Sequence, residues 1–211
     1  NTILLESSDY IAKDNSYAYI CCNPIAKFYV KKNMLFKEFP DNSKKETKLT
    51  STTNILSELD DFMRTFEIDD NSVESKKYIS KGLFGYMSYD SIKFFENIEV
   101  ENDSYGDEIP EIFYSFYREI IVINTFNNEA TLISHSGDIE KINTLEKLIK
   151  TKKTNEFSFK IEGEIKSNLK DNEYLEMVKK GIKHCFRGDV FQIVLSRKFS
   201  QKFSGDEFCV Y

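Results

Sequence analysis

The sequence has no tryptophan, only two histidines, no long apolar run and no excess of basic charge. Each absence removes a class of function. His135 and His184 have no second histidine or cysteine at i+3 or i+4, so neither begins a helical metal site. The four cysteines do no better. Cys21 and Cys22 are adjacent, Cys185 and Cys209 lie far off, and no C-x-x-C spacing occurs, which excludes a zinc or disulfide framework and leaves reduced thiols. Apolar runs are short, as at residues 120–123, so neither a membrane span nor a secretory signal is visible and a cytoplasmic location is expected. The net charge is -6, with lysines scattered among acids. That distribution gives no footprint for nucleic acid.

What is present is a globular composition, 40% hydrophobic and 30% charged over 211 residues. Such a length holds one good core, or one domain plus part of another. Residues 17–22, 25–31 and 35–39 alternate like strands, with turns expected at Asn23-Pro24 and Lys32-Asn33. Residues 41–50 are polar without periodicity and are expected to form a mobile loop. A helix follows through Ile55, Leu56, Leu59, Phe62, Met63 and Phe66, with Thr53 or Asn54 as its cap. Residues 82–89 make a strand whose two glycines point to a bulge or to close approach of another backbone. Residues 112–126 and 130–134 form a hairpin around Asn127-Asn128. A second amphipathic helix covers 137–150, and 151–155 reads as a linker before a short strand at 157–161.

The final stretch is the most organised. Tyr174, Met177, Val178, Ile182, Cys185 and Phe186 recur at helical spacing, and Gly188 supplies the stop. From Val190 the period changes to two, so a strand over 190–199 is expected to carry Gln192 and Ser196 on the face away from Phe191, Ile193 and Leu195. The fold class is α+β, an antiparallel sheet domain with packed helices over 1–162, followed by the first helix and strand of another domain over 163–211. The chain opens on Asn1 rather than Met, which points to residues removed or lying ahead of it.

Residues 188–199, GDVFQIVLSRKF, resemble the opening of the chorismate-binding domain of anthranilate synthase component I, whose pattern runs G-D-I/V-F-Q-V/I-V-L/P-S-R/Q-R/K-F. Residues 4–7, LLES, and 82–90, GLFGYMSYD, are similar to two segments of its amino-terminal domain, in the same order. The resemblance implies a regulatory domain over 1–162, with a tryptophan site and a glutaminase-docking surface, and a truncated chorismate-binding domain over 163–211. It implies conversion of chorismate and ammonia to anthranilate and pyruvate, with ammonia from a separate glutaminase subunit (component II) and L-tryptophan as feedback inhibitor. Ser7 is the residue expected to contact tryptophan, with Leu5 and Glu6 as neighbours; the bland alternative is a turn cap with Ser8 and Asp9. Some relatives carry a lysine where this chain has Tyr17. Mg2+ is the implied cofactor, with ligands expected beyond Tyr211 and none within the chain, which alone is expected to be inactive.

Gln192 is the expected active-site neighbour. Isochorismate and salicylate synthases place a lysine base there, and a glutamine cannot serve as that base. Aminodeoxychorismate synthase shares the glutamine but continues Q-x-N-L, so Gln192-Ile193-Val194-Leu195 favours anthranilate synthase. The remaining alternative is a non-catalytic module that binds an amino acid or docks a partner. A chain without tryptophan also suits an enzyme that must be made when tryptophan is scarce.

Overall fold

A computed structural model of the chain describes residues 2–6, 16–50, 53–67, 78–98, 109–151 and 158–210. Two compact units divide it, Asn1–Thr151 and Lys152–Tyr211. In the first, β1 (Ile3–Glu6), β2 (Tyr17–Lys31), β3 (Met34–Glu38) and β4 (Lys44–Lys48) precede helix α1 (Ile55–Arg64). Strand β5 (Phe84–Met87), a 3-10 turn (Tyr89–Phe94), β6 (Ile112–Asn124), β7 (Glu129–Ser134) and α2 (Ile139–Lys150) follow.

The long strands β2 and β6 form the spine, paired antiparallel from Tyr17 opposite Asn124 to Val30 opposite Ile112. One end of the spine is flanked by β1 and β7; the other carries β3, β4 and β5, seven strands among the described residues. Two expectations fail here. The turn expected at Asn23-Pro24 is a bulge, with the register shifting between Pro24 and Ala26 while both halves of β2 stay on β6. Asn23 takes a φ of 55° and Pro24 has no amide donor, so the local signals of a turn serve equally for an unpaired extra residue. The loop expected over 41–50 contains β4, whose KKETK sequence pairs with β3 at the sheet edge. Lysines on an edge strand stay solvated and deter further pairing, so no apolar alternation marks it. Elsewhere the turns form as expected: Lys32 and Asn33 sit at φ 50° and 60°, and Asn128 at 58°.

The bulge also separates two apolar clusters. On one side Phe28, Val30, Leu35, Ile112 and Phe116 pack against Ile55 and Phe62 of α1. Asn54 caps α1 as expected, its side chain accepting from the Ser57 amide at 3.2 Å. The buried stripe of α1 is narrower than its sequence period, because Leu56 and Met63 face solvent. On the other side Cys21, Phe84, Tyr117, Ile120 and Val122 gather with Leu5, Tyr17 and Tyr19 around them. One of the two glycines near β5 meets the expected close approach. A Cβ on Gly85 would lie 1.8 Å from the Phe113 carbonyl oxygen, whereas one on Gly82 would meet nothing within 4 Å. Helix α2, capped by Asp138, buries none of its residues.

The second unit holds β8 (Phe159–Ser167), α3 (Asp171–Arg187) and β9 (Phe199–Gly205). Strand β8 pairs antiparallel with β9. Gly188 ends α3 at φ 76°, as its sequence position requires. The strand expected over 190–199 does not form; only at Phe199 does β9 begin, and residues 192–198 have no strand assignment. Of their apolar side chains, Leu195 and one edge of Ile193 meet α3 instead, while Val194 faces solvent.

Candidate functional site

Gly181 is the buried residue of α3. A Cβ there would lie 3.3 Å from Leu195 Cδ1 and 3.6 Å from Ile193 Cγ2, so the helix admits the 192–198 segment at close range through the missing side chain. Val178, Ile182 and Ile193 line a groove of about 470 Å³ beside this contact. The period of two survives only over the second half: Leu195 and Arg197 are half-buried between the exposed Val194, Ser196 and Lys198, whereas Gln192 and Ile193 are both exposed. Gln192 and Ser196 are both exposed, but so are Phe191, Ile193 and Phe199 of the face expected to be apolar and inward.

Both ends of the segment are tied. At the start the Asp189 carboxylate accepts from His184 Nδ1 at 2.7 Å and pairs with Arg187 Nη2 at 3.0 Å. At the end Arg197 donates from Nε to Ser167 Oγ at 2.8 Å and from Nη1 to Asp171 Oδ1 at 2.7 Å. The Lys198 amide donates to Asn168 Oδ1 at 2.9 Å. Gln192 thus presents a carboxamide, with two donors and one acceptor, on a run fixed from below.

In the first unit Leu5 pairs opposite Tyr19 and Glu6 opposite Ala18. Leu5 is half-buried against the second apolar cluster, and Glu6 is exposed. Tyr17 joins the same cluster, its ring meeting that of Tyr78 edge-on at 5.8 Å. Burial pushes the Tyr19 hydroxyl above its usual range and the Cys21 thiol up to about 12. Leu5, Glu6 and Tyr17 are thereby brought together on adjacent strands, whereas Gln192 belongs to the other unit. Ser7 lies outside the described residues.

Sequence reasoning missed one group here. Glu119, opposite Cys22 at the bulge, is 1% exposed. Its Oε2 accepts from Asn23 Nδ2 at 2.7 Å, while Oε1 is buried with no hydrogen-bond partner among the described residues. A lone acid in an apolar strand gives no sequence signal until the bulge is known. Among the described residues, no group of three or more His, Cys, Asp or Glu side chains is placed to hold a metal ion.

One family model covers nearly the whole chain. Residues 12–211 match the profile described as chorismate binding enzyme. The chain belongs to that family. Within it, the chain is 26% identical to anthranilate synthase component 1 of Aquifex aeolicus over 228 residues, which is 99% of this chain and 44% of that protein. It is 29% identical to anthranilate synthase component 1 of Haemophilus influenzae, covering 95% of this chain and 46% of the other. With the Bacillus subtilis component 1 the identity is 26%, over 100% and 44%. A crystal structure of anthranilate synthase component I from Streptococcus pneumoniae TIGR4 superposes with a TM-score of 0.59 at 17% identity, over 98% of this chain and 45% of that one. The family member described here therefore spans less than half the length of these relatives, and its α+β fold with an antiparallel sheet matches that crystal structure. No helix among the described residues is long and apolar enough to cross a membrane.

Proposed function

We propose that this chain is part of the large subunit of an anthranilate synthase, which converts chorismate and ammonia to anthranilate, pyruvate and water. The observation that carries this is the GDVFQIVLSRKF segment, with glutamine at 192 on an exposed, anchored run, in a chain whose curated relatives are named anthranilate synthase component 1. A carboxamide at this point can donate and accept hydrogen bonds but takes no proton at neutral pH. Water is then not activated there, and ammonia, which needs no base to be nucleophilic, is the added group. Mg2+, when bound, offsets charge on the substrate carboxylates. Among the described residues no three acidic, histidine or cysteine side chains converge to hold such an ion.

Ammonia would come from a glutaminase subunit, and L-tryptophan would inhibit from the first unit. The half-buried Leu5 beside Tyr17 and Tyr19 supports an aromatic ligand at that edge. Tyr17 replaces a cation with a ring, so the inhibitor site would be more apolar than in relatives that carry lysine. The subunit would work in the cytoplasm.

The test is anthranilate fluorescence from chorismate, ammonium and Mg2+ with the full-length protein, with and without tryptophan, beside the 211 residues alone. Anthranilate from the former and none from the latter is expected, with tryptophan lowering the signal. Chorismate consumption without anthranilate would transfer the assignment to aminodeoxychorismate synthesis. No consumption even with a glutaminase partner would leave a non-catalytic binding module.

A further inference from the structure

We propose that Arg197 is the positioning residue for Gln192 and Ser196; what that pair acts on rests on the anthranilate synthase assignment, but the anchoring does not. Residues 192–198 have no strand assignment; backbone pairing holds their far end, where the Lys198 carbonyl accepts from the Asn168 amide at 3.2 Å, and side chains hold the rest. Arg197 binds three elements at once. Its Nε and Nη1 reach Ser167 at the end of β8 and Asp171 in the first turn of α3, at 2.8 and 2.7 Å. Its guanidinium carbon stands 4.7 Å from the centre of the Phe199 ring, where β9 begins. The Arg197 side chain is only 18% exposed although Asp171 is 85% exposed. The planar fork fixes two directions simultaneously, which a lysine ammonium cannot do.

Between this anchor and the Asp189 turn the segment makes a weak polar tie to α3, from the Tyr174 hydroxyl to the Leu195 carbonyl at 3.5 Å. The apolar contact at Gly181 sets its height above the helix but not its position along it, since Ile193 and Leu195 can slide in an open groove. Arg197 sets that position together with the Asn168–Lys198 pair beside it. Alternation turns Arg197 towards α3 with Leu195, while Gln192 and Ser196 face outward. Its effect on chemistry is therefore transmitted through the backbone and not by contact with substrate.

The experiment uses the full-length protein with R197A, R197K, D171N and the double variant R197A/D171N. Hydrogen exchange read by mass spectrometry should show faster exchange of amides 190–198 in R197A, less so in R197K and D171N, with other segments unchanged. For anthranilate formation, kcat should fall by up to about 100-fold in R197A while KM for chorismate changes less than about threefold. R197K should recover part of kcat, and D171N should add little to R197A, because the two act as one unit. Native exchange over 190–198 in R197A overturns the proposal, as does a rise in KM alone, which would make Arg197 a substrate contact. If R197A does not fold, R197K and D171N decide by the same readouts. If the wild-type protein makes no anthranilate, the functional assignment fails while the exchange measurement still judges Arg197.

Discussion

Replacing Gly85 by alanine should detach β5 from the sheet, and the same substitution at Gly82 should not. A Cβ on Gly85 would sit 1.8 Å from the Phe113 carbonyl oxygen and 2.7 Å from its carbon, both rigid backbone atoms. Ordinary contact between such atoms needs about 3.5 Å, so the strands must part by roughly 1.5 Å, which breaks ladder hydrogen bonds near their 2.9 Å optimum. Phe84, only 7% exposed, then loses its place between Tyr19 and Tyr117. Exposing a buried phenylalanine costs about 1.5–3 kcal/mol, and each lost hydrogen bond about 1 kcal/mol more. Against this, alanine lowers the entropy of the unfolded chain by an amount worth about 0.4–1 kcal/mol. The net loss is about 2–4 kcal/mol, or a fall in Tm on the order of 5–15 °C for a domain of this size. Gly82→Ala has open space and an ordinary φ, so it should leave Tm equal or slightly higher. Near-UV circular dichroism of the tyrosines can follow both unfolding curves, since tryptophan is absent. A Gly85→Ala protein melting within about 1 °C of wild type would refute the close-approach argument.

Three further outcomes follow from the first unit. Phe62 is 1% exposed and touches the rings of Phe28, Phe39 and Phe66, so Phe62→Ala should lose about 3–5 kcal/mol in urea titration; a loss below about 1 kcal/mol would mean the cluster collapses into the gap. Burial alone would raise the Glu38 carboxyl, but hydrogen bonds and charge from Lys44 and Lys27, each 3.0 Å away, outweigh it and hold the carboxyl below its usual 4.5. A depressed folded value means this stability is present above 4.5 and lost as pH falls through the folded value, so the advantage of wild type over Glu38→Gln should shrink in acid. A pH-independent difference would count against it. Burial and the neighbouring Cys22 push the Cys21 thiol up to about 12, so native alkylation followed by mass spectrometry should label the exposed Cys185 and Cys209 first. Equal labelling of Cys21 would contradict its environment.

Local chemistry made much of this fold legible. Asn127-Asn128, Gly188 and the Asn54 cap each act within a turn of themselves, and each sits where its side chain or freedom requires. The close approach at Gly85 was visible as a glycine inside an apolar strand, though nothing in the sequence told it from Gly82. What escaped depends on distant partners. Whether Asn23-Pro24 turns or bulges is decided by β6, nearly a hundred residues on, and β4 is a strand because β3 offers an edge. Residues 190–199 have the alternation of a strand, but the gap over Gly181 captures Ile193 and Leu195 before a ladder can. For the candidate sites, Gln192 and Ser196 are both exposed, but Phe191 and Ile193 are exposed with them, so the expected two-sided run forms only in part; Leu5 with Tyr17 forms one patch. Arg197 was legible only as a letter in a motif, because its partners come from β8 and α3.

The pairing of β2 with β6 also sets a timetable for synthesis. Asn23 and Glu119, bonded across the bulge, are 96 residues apart in the chain. At 5–20 residues per second the ribosome needs roughly 5–20 s to deliver the second after the first. During that interval β2 can close locally with β3 and β4, but Phe28 and Val30 wait for Ile112 and Phe116, and one long edge of β2 stays open. An open apolar edge on a nascent chain recruits holding chaperones or a neighbouring polysome's copy of itself. Slow synonymous codons placed between β2 and β6 should therefore lower the yield of folded chain in pulse-labelling, and an unchanged yield would count against this timetable.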